Sequence, residues 1–170
     1  MKTFITMGLL AFLGLSAKGA EPLAVGAPAP DITGVDQEGK TVKFKDVYAK
    51  GPTLVYFYPK ADTPGCTKQS CALRDVAGQV GDTAIIGISP DPPRKQAKFD
   101  EKYGLGFPLL ADEDHTVSEA YGTWAEKSMY GRKYMGIVRS AFLIDENGKI
   151  AKAWYKVKPE ATATNLLASL

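Results

Sequence analysis

The sequence predicts an α/β fold: a mixed central sheet with helices on both faces and an N-terminal β-hairpin. Three observations carry this. Thr53-Leu-Val-Tyr-Phe-Tyr58 and Thr83 to Ser89 are near-continuous runs of apolar, β-branched and aromatic residues, the mark of strands buried on both faces. Helical segments opened by Pro64 and Pro93 follow these runs, so strands and helices alternate. Arg139 to Asp145 and Lys149 to Tyr155 flank Glu-Asn-Gly, a hairpin signal that adds antiparallel strands.

The elements follow in order. Gly26-Ala-Pro-Ala-Pro30 is a stiff extended lead-in. Asp31 to Asp36 and Thr41 to Phe44 alternate around Gln37-Glu-Gly-Lys40, which reads as a hairpin. Lys45 to Lys50 forms one helical turn. Pro59 ends the first buried strand. Pro64 to Val80 reads as a helix with Thr63 as its N-cap. Pro93 to Tyr103 is helical and closed by Gly104. Phe107 to Leu110 is short and extended. Asp112 or Asp114 caps a helix through Tyr121, and Pro159 starts a final helix to Leu170. This order suits a thioredoxin-like sandwich among several small α/β folds.

Length and charge bound the function. At ~100–200 residues per domain, 170 residues make one domain. Lys2 precedes an apolar stretch, Phe4 to Leu15, and small residues at Ser16 to Ala20. That is the layout of a secretory signal, and cleavage after Gly19 sets Ala17 at the −3 position. Residues 1–19 are therefore expected to be a cleaved signal, with residues 20–170 the exported domain, in the periplasm. Without a working signal the domain would stay in the cytoplasm. The formal charge is +2, 21 basic less 19 acidic residues. Both excess charges, Lys2 and Lys18, lie in the leader. A neutral body with no basic run makes no electrostatic case for nucleic acid or an anionic membrane. No apolar run reaches the ~18 residues of a spanning helix. Two cysteines and one histidine are too few for a zinc site of three or four Cys and His ligands.

Gly34-Val-Asp-Gln-Glu-Gly39-Lys40-Thr41 matches the spacing of a phosphate-binding loop. The mechanism needs a helix after the loop, so that free amides face phosphate. Here Thr41-Val-Lys-Phe44 alternates like a strand, and Asp36 and Glu38 would oppose a polyphosphate. The hairpin reading stands.

The informative segment runs from Tyr58 to Cys71. It lies where a buried strand gives way to a helix, the place where open α/β sheets carry their sites. Cys66 falls in the first helical turn, where free amide hydrogens and the helix dipole favour thiolate, the nucleophilic form. Cys71 is five residues on. On an ideal helix their Cα atoms are ~8.6 Å apart, whereas a disulfide wants ~4.4–6.8 Å. The pair bonds only if the first turns of the helix melt, which makes a poor staple and a plausible switch. The bland reading, one structural disulfide in an exported protein, stays open at this point.

Pro59-x-x-x-Thr63-x-x-Cys66 resembles the peroxiredoxin signature. With Cys71 five positions on, the chain is similar to the peroxiredoxin Q / bacterioferritin comigratory protein subfamily. The resemblance runs from about Leu23 to Lys158. It includes Tyr56 to Cys66, Gly87-Ile-Ser, Ala111 to His115, Glu126-Lys-Ser, and Gly136 to Asp145. It implies a thioredoxin-like fold and thiol-dependent reduction of hydrogen peroxide and organic hydroperoxides, without metal, haem or flavin. Cys66 would attack peroxide and become a sulfenic acid. Arg139 would stabilise the thiolate and bind peroxide oxygen. Thr63 would donate to and accept from the peroxide, and Pro59 would close the pocket. Cys71 would resolve the sulfenic acid into an intramolecular disulfide, which thioredoxin or a thioredoxin-like donor would reduce. A local resolving cysteine removes the need for a second subunit, so a monomer is expected. His115 reads as a capping or surface residue, and Trp124, Trp154 and Tyr56 as packing.

Three other functions remain to be weighed. A copper chaperone would use two cysteines and a distant histidine, but its cysteines lie four apart. A thiol–disulfide oxidoreductase would reduce insulin without peroxide. A structural disulfide would make Cys66→Ser a loss of stability alone.

Overall fold

The computed structural model describes Glu21 and residues 23–170. The expected signal, residues 1–19, lies outside the described residues. A first hairpin pairs β1 (Thr33–Val35) with β2 (Thr41–Lys43), and α1 (Phe44–Tyr48) follows at once. Then come β3 (Thr53–Phe57), α2 (Pro64–Val76), β4 (Ala84–Ser89), α3 (Pro93–Tyr103), β5 (Leu109–Ala111) and α4 (Thr116–Ala120). The chain closes with β6 (Trp124–Met129), β7 (Arg132–Ile137), β8 (Ser140–Ile144), β9 (Ile150–Tyr155) and α5 (Ala161–Leu167).

The central sheet has the order β5-β4-β3-β8-β9. β3 and β4 pair in parallel, as do β4 and β5; β8 is antiparallel to both β3 and β9. Every residue of β3 is buried. Its alternation splits the core in two. Leu54 and Tyr56 face one layer with Leu73 of α2, Phe99 of α3 and Leu166 of α5. Val55 and Phe57 face the other with Phe44, Tyr48, Val117 and Tyr121. The predicted mixed sheet with helices on both faces is therefore the observed one. Gly87 in β4 has a packing reason: a Cβ there would lie 2.8 Å from the Tyr56 hydroxyl and 2.8 Å from Leu109 Cδ2. The missing side chain makes room for the Tyr56 ring.

The structure corrects several boundaries. Gly39 and Lys40 belong to the β1–β2 turn, where Asp36 Oδ1 accepts from the amides of Glu38 and Lys40 at 2.8 and 2.9 Å. Strand β2, not a helix, follows the turn directly, so the phosphate-loop spacing is a hairpin. The helix expected to reach Val80 ends at Val76 and passes into a single 3-10 turn, Ala77–Gln79. The last helix stops at Leu167. Both candidate caps before α4 act: Asp112 accepts from the amides of Val117 and Ser118, each at 2.9 Å, and Asp114 from Thr116 at 3.1 Å. The β6–β7 hairpin was not expected at all. Its strands are largely exposed, and the two turn residues, Tyr130 and Gly131, both have positive φ. Gly131 suits such a turn, but a tyrosine at φ 51° is no turn signal.

Four tyrosines are buried by this packing. Tyr48 and Tyr121 share a hydrogen bond of 2.9 Å under the sheet. Tyr56 shares one of 2.8 Å with Ser70 Oγ, and Tyr58 donates to Gln96 Oε1. Burial, the largest cause, pushes all four phenols above their ordinary range. Above about pH 10 the unfolded chain would lose these protons while the fold keeps them. The folded state then binds more protons, so stability present below that pH falls as pH rises. Alkaline titration followed by circular dichroism and tyrosinate absorbance is expected to show these phenols ionising together with unfolding. Their ionisation in an intact fold would contradict the packing.

Candidate active site

β3 ends inside the sheet, and Tyr58 continues it, its amide donating to Ile88 O at 3.0 Å. Pro59, half-buried, then turns the chain into a short loop up to Thr63. The loop is tied down on two sides. Asp91, almost fully buried after β4, accepts from the Ala61 amide at 2.7 Å and from Ser89 Oγ at 2.9 Å. Asp62, in a left-handed conformation at φ 58°, accepts from Lys102 Nζ at 2.9 Å and from the Tyr103 hydroxyl at 2.7 Å, both on α3. Its carboxyl is held below the usual aspartate range by Lys102 first and Tyr103 second.

Thr63 occupies the N-cap position of α2 with extended backbone, and its carbonyl accepts the first helical bond from the Thr67 amide at 2.8 Å. Its side chain does not cap the helix. The hydroxyl instead donates to Lys60 O at 2.8 Å. That corrects the expectation of a side-chain cap, and it leaves the hydroxyl oxygen free to accept a further bond.

Cys66 is 1% exposed and belongs to the core layer below α2. Cys71 is half-buried on the same unbroken helix, and the two thiols are free. Arg139, just before β8, reaches Cys66: its Nη2 lies 3.4 Å from Sγ. The approach depends on Gly65. A Cβ at that position would stand 3.3 Å from Arg139 Nη2 and 3.5 Å from Pro159 Cγ. Of the five residues singled out from the sequence, Cys66 and Arg139 are in direct contact. Cys71 shares α2 with Cys66, Thr63 stands at the N-cap of that helix, and Pro59 heads the loop before it.

Four further residues complete the surroundings. Gln69, one turn on from Cys66 and fully buried, accepts from Arg139 Nη1 through Oε1 and donates from Nε2 to Thr162 Oγ1 at 2.9 Å. The i, i+3 spacing from Cys66 is the only sequence signal that could have pointed to Gln69. Lys127 on β6 donates to Ile137 O at 2.9 Å. Burial and, after it, the like charge of Arg139 lower its pKa, while Cys66 opposes that. Tyr56 lies beneath the pair and interacts electrostatically with both sulfurs. Arg74 sits one turn on from Cys71, with Nη1 bonded to Tyr103 O at 2.6 Å. His115 stacks on Trp124 with ring centroids 3.7 Å apart and occupies the N-cap position of α4 without a side-chain cap. Among the described residues no group of three or more His, Cys, Asp or Glu side chains is placed to hold a metal ion.

A buried thiol held against a guanidinium at a helix N-terminus is a nucleophile's environment. Residues 25–153 match the AhpC/TSA family. The chain belongs to that family of peroxiredoxins. A putative peroxiredoxin Bcp of Haemophilus influenzae is 48% identical over 139 residues, covering 81% of this chain and 89% of that one. Peroxiredoxin Bcp of Bacillus subtilis is 43% identical, with coverage of 87% and 95%. A cysteine-to-serine form of Xanthomonas campestris peroxiredoxin Q superposes with a TM-score of 0.78 at 32% identity, covering 86% of this chain and 94% of that one. These relatives set this peroxiredoxin in the Bcp/peroxiredoxin Q subfamily and confirm its thioredoxin-like fold. It is a thiol-dependent peroxidase.

Within this peroxiredoxin the Asp91 carboxylate is the main tie on the loop before Cys66. Asp91→Ala would strand the buried Ala61 amide, at a cost of about 1–3 kcal/mol. Urea denaturation is expected to show that loss; an unchanged midpoint would mean the loop holds itself.

Proposed function

We propose that Cys66 is the peroxide-reducing nucleophile and Cys71 its resolving partner. The observation that carries this is the 3.4 Å contact between Arg139 Nη2 and Cys66 Sγ. Thiolate attacks one peroxide oxygen. The S–O bond forms as the O–O bond breaks, and the departing oxygen takes a proton to leave as water or alcohol. Charge grows on that oxygen, and a fixed guanidinium donor lowers the barrier. Thr63 and Pro59 shape the peroxide pocket, the first with an open acceptor, the second without a competing amide.

The product is a sulfenic acid on Cys66. Cys71 thiolate attacks that sulfur, an S–S bond forms, and hydroxide leaves and is protonated to water. The first turns of α2 unwind for this step, because the intact helix holds the Cα atoms too far apart. A thioredoxin-like dithiol then reduces the bond by two exchanges and is itself oxidised. Substrates are hydrogen peroxide and organic hydroperoxides. The leader layout supports an exported, periplasmic site of action, and the local resolving cysteine supports a monomer. Cell fractionation and sedimentation test those two points.

Reduced protein mixed with one equivalent of hydrogen peroxide is expected to lose both thiols and form a Cys66–Cys71 disulfide, read by intact mass. Cys66→Ser should abolish this. Cys71→Ser should consume peroxide once and stop at the sulfenic acid. Oxidation at the rate of an ordinary thiol, unchanged in Cys66→Ser, would overturn the assignment. Replacing the guanidinium in Arg139→Gln should slow peroxide reduction by roughly a hundredfold, the scale of losing one oxyanion donor, as stopped-flow kinetics would measure. A loss under threefold would leave Arg139 a structural residue.

A further inference from the structure

We propose that Thr162, on the C-terminal helix α5, is a positioning residue for peroxide reduction, acting through Gln69 on the Arg139 guanidinium. The inference rests on the reading of Cys66 and Arg139 given above.

Thr162 and Gln69 are both 0% exposed, although 93 residues separate them in sequence. The glutamine amide has two unlike ends. Oε1 accepts from Arg139 Nη1, and Nε2 donates to Thr162 Oγ1 at 2.9 Å. A guanidinium is planar and rigid, so fixing Nη1 fixes the direction in which Nη2 meets Cys66 Sγ. Turning the amide over would set its NH2 against the guanidinium, donor against donor. The guanidinium therefore sets which way round the amide lies, and the Thr162 hydroxyl, by accepting from Nε2, anchors its far end. Gln69 and Thr162 are fully buried and Arg139 is half-buried, so removing the Thr162 hydroxyl takes from the buried Gln69 Nε2 its acceptor.

The same helix junction bears on the second step. Pro159 faces Gly65, and Glu160 pairs with Lys68 at 3.8 Å. The start of α5 therefore grips the α2 turns that must unwind for Cys66 to meet Cys71. Loss of the Thr162 hydroxyl should then have opposite effects on the two steps. Sulfenic acid formation slows, because Arg139 is misdirected. Disulfide formation quickens, because α2 opens more easily.

Thr162→Val keeps the shape of the side chain and removes the hydroxyl; Thr162→Ser keeps the hydroxyl. Single-turnover mixing with hydrogen peroxide should show sulfenic acid formation slowed by about tenfold or more in the valine variant. Reaction of the reduced enzyme with iodoacetamide, which needs the thiolate but not an oriented guanidinium, should stay the same or rise. The disulfide step should be faster, and the serine variant should behave as wild type. Three results would overturn the proposal. One is a wild-type peroxide rate in the valine variant. Another is a parallel fall in the peroxide and iodoacetamide rates, the mark of general damage. The third is equal impairment in valine and serine variants. If Thr162→Val does not fold, Thr162→Ala takes its place under the same criteria. A wild-type enzyme that reacts no faster than a free thiol would instead refute the parent reading of Cys66, and this proposal with it.

Discussion

Two sulfurs five residues apart on an intact helix cannot bond. That constraint governs the site. Wound, α2 buries Cys66 among core side chains and holds it against Arg139. Unwound, it would let Cys71 reach the same sulfur but lose the guanidinium contact. The two proposed chemical steps would therefore need two conformations of one short segment.

That segment is held from both sides. On its N-terminal side, Asp91 and the α3 pair Lys102 and Tyr103 pin the loop that leads out of β3. Below it, Tyr56 stacks on Tyr58, in the space that Gly87 leaves open. Beside it, β8 delivers Arg139 from the antiparallel half of the sheet. The segment proposed to open is the helix that carries both sulfurs.

Much of the fold was legible because its signals are local. β3 and β4 are buried on both faces and read as unbroken apolar runs; β8 and β9 announce themselves through Asn147-Gly148. The β6–β7 hairpin was illegible for the converse reason, since exposed strands carry no alternation and Tyr130 is an unusual residue for its turn. At the site, Cys66 could be picked out from its place after a buried strand. Arg139 could be named only through resemblance, because its contact with Cys66 spans 73 residues. Gln69 and Thr162 escaped notice altogether. A buried bond between two neutral polar side chains leaves no periodicity, charge pattern or spacing motif behind. Thr63 was rightly set at the helix start, but its hydroxyl donates to Lys60 O instead of accepting from a helix amide.

The burial of Cys66, Ser70 and Leu73 beneath α2 also has an electrochemical meaning. If Cys66 and Cys71 form the proposed disulfide, the packing that winds α2 would exist only with the thiols reduced, and it would stabilise the dithiol relative to the disulfide. A couple whose reduced form is the more stable has a raised reduction potential and makes a ready oxidant. In the proposed cycle the helix would be a spring set against the disulfide: its folding free energy would draw electrons from the donor, and a weakly reducing partner would suffice to reset the enzyme.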